Sequence, residues 1–440
     1  MVRAVYTAVL TAGLFVMAPV FLYKALRHRK YLGSLNERFG NVGVRPSDRP
    51  TMWIHAVSVG EVIAAEPFVR AAVAGLPSWR VVVSTTTATG QQVARERFPE
   101  LDVFYFPLDL PGPVARAFAR VRPSALCLVE TEIWPNVLAV CRRRGAPVAV
   151  VNGRLSDRSF RGYHRVRVLL RGVLSNVSLF LMQSKPDAER MKALGADPAR
   201  VTVSGNVKYD VDREDIERRI APRRAGLERA FGLPDDRPLI VAGSTAPGEE
   251  RILLDALSLL RRRPGCQATR MMIAPRHPER FEEVSAVVAA AGFACVRRTS
   301  SEGGESARTA DVLLLDTIGE LAAAYADASL VFVGGSLVPR GGHNILEPAL
   351  YARPIVVGPH TQNFRQVVGD FLEARAVVQL PEDRCDADGV ASAFADLLLN
   401  ADESVHMGER ALAVLESNRG ATQRTFEAVR GMLEQKQGMS

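Results

Sequence analysis

The stretch TMWIHAVSVGEVIAAEPFVRAAVAGL, residues 51–76, decides the fold. TMWI is a short apolar run, HAVSVGE is a turn of small residues, and the remainder carries apolar residues at helical spacing. The order is strand, tight turn, helix, which is half of a βαβ unit. Outward from it the same alternation repeats through RVVVSTT, LDVFYFP, ALCLVE, PVAVVN, LFLMQS and VTVSGN. The charged segment YDVDREDIERRIAPRRAGLERAF, 209–231, breaks the series. It restarts with PLIVAGST, TRMMIAP, FACVRR, DVLLLDT, LVFVGGS, PIVVGP and AVVQL. Strands alternating with amphipathic helices require right-handed crossovers and a parallel sheet covered on both faces. The expected fold class is therefore α/β, with two doubly wound Rossmann-like domains and ligands at the carboxyl ends of the strands.

At 440 residues the chain has room for two cores. The five cysteines show no C-x-x-C pair, which reads as a reduced, cytoplasmic protein, and no histidine spacing suggests zinc. Residues 4–23 carry no charge and are followed by Lys24, Arg27, Arg29 and Lys30. That pattern predicts a membrane-anchor helix whose basic flank stays in the cytoplasm. The expected division is an anchor over 1–30, a first domain over 31–211, a linker over 212–233 and a second domain with C-terminal helices over 234–440. Charge is uneven, with a net of +12 over residues 1–215 and −4 over 216–440. The basic half is the one next to the anchor.

Glu61 closes the turn after the first strand, where its spacing from Ser58 also fits a capping box, with the helix N-terminus expected to keep it ionised. LVETEIWPN, 128–136, sets Glu130 and Glu132 directly after an apolar strand. Carboxylates at a strand end are costly unless paired or used. SGNVKYD, 204–210, brings Lys208 to the end of another strand, with an ion pair to a glutamate as its bland role. In the second half, VFVGGSLVPRGGHNILEPALYARPIVVGP, 331–359, is a strand, a Gly-rich loop and a helix. Gly341 and Gly342 would let N–H groups approach a phosphate, a helix beginning near His343 or Asn344 would point its positive end there, and Glu347 could accept from ribose hydroxyls. Pro275-Arg276 in APRHPER could present a phosphate-binding guanidinium. Gly319, Glu320 and Leu321 in LDTIGEL could read a base or a phosphate through their backbone. No P-loop signature occurs.

These motifs, in this order, resemble the 3-deoxy-D-manno-octulosonic acid (Kdo) transferase family of Gram-negative bacteria. The resemblance runs from KYLGSLNERFG (30–40) through SVGE, ETEIWPN, VNGRLSDRSF, GNVKYD, GSTAPGEE, PRHPER, DTIGEL and GGHNILEPA to GPHTQNF, nearly the whole chain. One departure is Ala246, where the family typically carries histidine. The resemblance implies the glycosyltransferase-B fold, association with the cytoplasmic side of the inner membrane, and inverting, metal-independent transfer of Kdo from CMP-Kdo to lipid IVA, a lipid A precursor. It implies Glu61 as general base, Glu130 and Lys208 as supports of the reacting centre, and CMP contacts from Pro275, Arg276, Gly319, Glu320, Leu321, Asn344, Ile345, Leu346 and Glu347. No cofactor is implied beyond the donor CMP-Kdo. The implied partners are that donor, the lipid acceptor and anionic inner-membrane lipids, with no nucleic acid. Another two-Rossmann enzyme, such as a UDP-sugar transferase or an epimerase, and a catalytically silent membrane adaptor are the competing classes. Finally, RLSDRSFRGYHRVRVLLRGVL, 154–174, interleaves six arginines with apolar residues. It fits either a core-facing helix with a solvated basic face or a segment that lies on an anionic bilayer.

Overall fold

Among the described residues the apolar runs become fourteen strands, all parallel where paired. The computed structural model describes residues 2–28, 32–44, 46–210, 213–233, 236–301 and 304–437. The first sheet comprises β1 (Thr51–His55), β2 (Arg80–Thr85), β3 (Asp102–Tyr105), β4 (Pro123–Val129), β5 (Val148–Gly153), β6 (Leu179–Met182) and β7 (Val201–Val203). Their spatial order is β3-β2-β1-β4-β5-β6-β7. The second comprises β8 (Leu239–Thr245), β9 (Arg270–Pro275), β10 (Cys295–Arg297), β11 (Val312–Leu314), β12 (Leu330–Val333), β13 (Ile355–Val357) and β14 (Val378–Gln379). Here the order is β10-β11-β9-β8-β12-β13-β14.

In each sheet the order reverses beside the first strand, at β1/β4 and at β8/β12. The loops leaving such a pair diverge to opposite faces and open a crevice at the carboxyl edge. Glu61 and Glu130 follow β1 and β4, so the first crevice is where the sequence placed its carboxylates.

Strand β1 shows why the sheet is covered on both sides. Trp53 points to one face and packs on Phe104, Phe106 and Phe118 with ring centroids 5.3–5.5 Å away. Met52 and Ile54 point to the other, into a core shared with Val62, Phe68 and Val69. The period of two, apolar in both phases, specifies a central strand.

The chain divides into one unit of residues 1–210 and 418–440 and another of residues 211–417. This corrects two expected boundaries. The charged segment read as a linker is a helix, Arg213–Phe231, belonging to the second unit; Leu227 and Phe231 are buried and Arg224 bonds Asp327 at 2.5 Å. The C-terminal helix Ala421–Gln437 leaves the second unit and buries Phe426, Val429 and Leu433 in the first unit's core.

The N-terminal helix spans Val2–His28, and its Thr7 hydroxyl accepts from Asn136 Nδ2 at 3.0 Å. Val5, Val9, Phe15 and Val16 on it are exposed. Among the described residues, no helix is long and apolar enough to cross a membrane. The end of the expected anchor, from residue 18, and its basic flank lie outside the residues whose side chains are described.

Candidate active site

In the first unit, Glu61 stands in the first turn of the helix Val59–Gly75. Its Oε2 accepts from the Val57 N–H at 2.7 Å and its Oε1 from the Ser58 hydroxyl at 3.1 Å. The capping box is thus half formed: the glutamate reaches back, but Ser58 caps no N–H. Burial is the largest influence on Glu61 and, with the Glu130 charge, pushes its pKa up to about 7 against the pull of the Val57 and Ser58 bonds. The sequence led us to expect a carboxylate held ionised by the helix N-terminus. Burial outweighs that effect and leaves the group near its midpoint at neutral pH, where a general base is most effective.

Glu130 adopts a left-handed backbone conformation, φ +58°, as the chain leaves β4. Such a conformation is unusual for a residue with a side chain and aims the carboxylate away from the strand direction. Glu130 pairs with Arg154 at 2.9 Å, and the Arg154 N–H donates to the Thr131 hydroxyl at 3.1 Å. Glu132 is also partly buried; burial, then the charges of Glu61 and Glu130, pushes its pKa up to about 8.

Lys208 lies on the turn Val207–Tyr209. That turn is held by Asn152 Oδ1, which accepts from the Val207 N–H at 3.2 Å, and by Asn206 Oδ1, which accepts from the Lys208 N–H at 3.1 Å. Burial lowers the Lys208 pKa, opposed by the charges of Glu130 and Glu61 and reinforced by Arg154. The three residues marked in the sequence are therefore within electrostatic reach of one another. Sequence reasoning missed the roles of Arg154 and Asn152. In the sequence Arg154 belongs to a basic segment and to the motif VNGRLSDRSF with no role of its own, and the signal in VNGR is a polar residue ending an apolar strand. Among the described residues, no group of three or more His, Cys, Asp or Glu side chains is arranged to hold a metal ion.

In the second unit, β9 ends at the buried Pro275, and Arg276 beyond it is exposed with its N–H on the Thr245 carbonyl at 3.0 Å. The other arginine of that motif, Arg280, belongs to the core: it grips Glu250 through both terminal nitrogens at 2.6 and 3.1 Å. Burial first, then the charges of Arg276 and His277, pushes the His343 pKa down to about 4, so His343 is neutral. Burial raises the Glu347 pKa against an Asn344 hydrogen bond and the Arg276 charge. Arg276, His343, Asn344 and Glu347 thus form one neighbourhood.

The helix expected from His343 or Asn344 is a single turn, Leu346–Ala349. Asn344 instead accepts the Leu346 N–H at 3.1 Å and donates to Glu347 at 3.2 Å. Four residues provide little helix dipole, so anion attraction here falls to side chains and loop N–H groups. The side chains of Ile345 and Leu346 are buried. At the LDTIGEL turn, Arg223 donates to the Gly319 carbonyl at 2.7 Å, Glu320 bonds Thr317 and Arg298, and Leu321 opens the helix Leu321–Tyr325.

Residues 33–211 match the family described as 3-Deoxy-D-manno-octulosonic-acid transferase (kdotransferase). A 3-deoxy-D-manno-octulosonic acid transferase of Bordetella pertussis is 35% identical to this chain over 447 aligned residues, covering 98% of this chain and 99% of its own. The chain belongs to the 3-deoxy-D-manno-octulosonic acid transferase family. It is a glycosyltransferase. The corresponding protein of Haemophilus influenzae is 33% identical, with 96% and 98% of the two chains covered. Among solved structures, a glycosyltransferase from Rickettsia africae has a TM-score of 0.57 at 10% identity, over 90% of this chain and 100% of that one. At that identity the likeness speaks for the fold alone, which is of the glycosyltransferase-B type.

Proposed function

We propose that this chain moves Kdo from CMP-Kdo to a hydroxyl of a lipid A precursor, lipid IVA, with inversion at the anomeric carbon and Glu61 as general base. The observation that carries this reading is the Glu61 carboxylate, fixed by two hydrogen bonds at the first sheet's crevice and poised near neutrality. An acceptor hydroxyl within reach gives its proton to Glu61 as it attacks the anomeric carbon, the bond to the CMP phosphate breaks, and the electron pair leaves with CMP. Direct displacement by the hydroxyl inverts the centre. Glu130, held by Arg154, and the Lys208 ammonium supply the local field in which that proton moves.

Negative charge grows on the departing phosphate, and Arg276 is an exposed cation in the Asn344–Glu347 neighbourhood able to meet it. The carboxylate of Glu347 and the backbone at Gly319–Leu321 are assigned to the ribose and base. The reading requires no resident metal or cofactor, so chelators should leave transfer unchanged. It places the enzyme on the cytoplasmic side of the inner membrane, anchored by its N-terminal helix, with anionic lipids and the lipid acceptor as partners and no nucleic acid.

The deciding experiment combines Glu61→Gln with binding and transfer assays. Transfer should fall by about 10²–10⁴-fold, the usual worth of a general base, while CMP affinity by calorimetry stays at the wild-type value. Wild-type transfer should rise with pH through about 7. An active Gln variant removes Glu61 from the mechanism, and preference for UDP over CMP in competition removes the donor.

A further inference from the structure

The second unit repeats the strand, turn and helix of the first, and a glutamate again opens the helix: Glu249 is the first residue of Glu249–Arg261. Its surroundings are different. Glu249 is fully buried, and its carboxylate accepts four backbone N–H groups: Ala246 at 2.8 Å and Gly335 at 2.7 Å on Oε2, Ser336 at 2.9 Å and Leu337 at 2.8 Å on Oε1. It forms no ion pair among the described residues. Ala246 follows β8 and Gly335–Leu337 follow β12, the two strands at which the second sheet reverses its order. One side chain therefore ties together the two loops that frame the second crevice.

Consecutive N–H groups turned into one concavity make a site for an anion. Here the chain supplies the anion itself. A buried carboxylate without a cation is costly, and it persists because four charge-assisted hydrogen bonds satisfy it. The surrounding backbone leaves no slack. A Cβ on Gly334 would lie 2.6 Å from the Ser244 carbonyl oxygen and 2.9 Å from Glu249 Oε2, and one on Gly335 would lie 2.9 Å from the His343 ring. The Gly335 carbonyl accepts the Gly342 N–H at 2.7 Å, so the conformation set at Glu249 is passed directly to Gly342 and His343. Ser336 extends the tie to a third loop: its hydroxyl accepts the Gly358 N–H at 2.9 Å and its carbonyl accepts the His360 N–H at 3.0 Å.

We propose that Glu249 is a positioning residue for the donor site, an internal anion around which the loop after β12 is wound so that His343, Asn344 and Glu347 are presented beside Arg276. This rests on the reading of that neighbourhood as the nucleotide site. It also has a consequence for how the donor binds. The N–H groups of Gly335, Ser336 and Leu337 are already taken, so the donor phosphate is held by Arg276 and the later part of the loop.

The test is Glu249→Gln in the full chain, read by amide hydrogen exchange of the segment 334–344 without ligand and by calorimetry with CMP. Glutamine keeps the shape but offers one acceptor oxygen, and its NH₂ faces two of the N–H donors. Exchange in the segment should accelerate, and the CMP Kd should rise by about tenfold or more at unchanged stoichiometry. A role confined to folding would lower the stoichiometry or the melting temperature and leave Kd alone. If Glu249→Gln does not fold, Gly334→Ala presses on the same cradle and should raise the CMP Kd likewise. Unchanged exchange overturns the proposal, as does faster exchange with unchanged CMP affinity. Absence of CMP binding by the wild type overturns the donor reading instead, and the exchange result then decides whether Glu249 holds the loop.

Discussion

Glu61 and Glu249 stand in the first turns of the helices of two βα units but in different surroundings, and what surrounds a carboxylate decides whether it can react. Glu249 has every lone pair engaged by N–H groups and is sealed. Glu61 has two partners only, and burial first, then the Glu130 charge, raises its proton affinity against those two bonds. From the sequence, both looked like first-turn glutamates after a small-residue turn. The difference lies in a loop 86 residues further on that closes over one of them. Glu132 gives the residue scale its prediction. Its folded pKa of about 8 lies above the ordinary value of 4.5, so between those limits the folded state holds a proton that the unfolded state has released. Stability contributed by that group is therefore lost as pH rises through this window. Glu132→Gln mimics the protonated form. Its melting temperature should match the wild type near about pH 4.5 and exceed it by about 2 °C or more above about pH 8.5. A difference that is constant with pH would show that Glu132 does not carry the proton.

At the scale of elements, the strands were legible because each is an apolar run bounded by polar or turn residues, a signal that does not depend on distant partners. All fourteen runs read from the sequence are strands. Legibility failed where an element's role depends on tertiary contact. The helix Arg213–Phe231 is so rich in charge that composition reads it as a linker, yet Leu227 and Phe231 anchor it to the second unit. The C-terminal helix carries no mark of the unit it joins, which is fixed by Phe426 seating against Gly75 and by Asp210, whose carboxylate accepts the Gly420 and Thr422 N–H groups. Asp210 thus caps a helix more than two hundred residues away, while Arg424 of that helix donates to the Ser204 carbonyl at 3.0 Å. These bonds bracket Lys208. Asp210→Ala should cost about 1–2 kcal/mol through the lost cap and slow transfer, leaving CMP affinity untouched because the neighbourhood proposed for the nucleotide lies in the other unit. Melting temperature, transfer rate and calorimetry on one preparation separate these effects; a change in CMP affinity would contradict the assignment.

At the scale of the molecule, the question is how the protein would reach the lipid acceptor proposed for it. The basic segment after β5 forms two short helices, Asp157–Arg165 and Arg167–Leu174, and shows features of both roles its sequence allowed. Phe160, Tyr163 and Leu170 pack against the first unit's core and Leu174 is buried within it. Val168 is 82% exposed, with Val166 and Leu169 also exposed, and Arg158, Arg161, Arg165, Arg167 and Arg171 stand around them in solvent. Exposed apolar side chains ringed by guanidinium groups suit a surface that is both oily and anionic, and the apolar residues on the N-terminal helix suit the same environment. We therefore expect the first unit to dock on anionic lipid through this segment. Each arginine near such a surface contributes roughly 1 kcal/mol, and the contribution fades as salt shortens the Debye length. Replacing Arg161, Arg165 and Arg167 together with Gln should remove most of the salt-dependent part of vesicle binding in flotation assays with anionic lipid. It should also raise the apparent KM for the lipid acceptor several-fold, with binding to neutral vesicles and CMP affinity unchanged. The three residues are exposed, none of them forms an ion pair with a carboxylate among the described residues, and the bond of Arg167 to the His164 ring at 2.8 Å lies on the surface, so the substitution leaves the fold intact. Wild-type vesicle binding and acceptor KM in the triple variant would return these helices to the simpler role of a core cover with a solvated basic face.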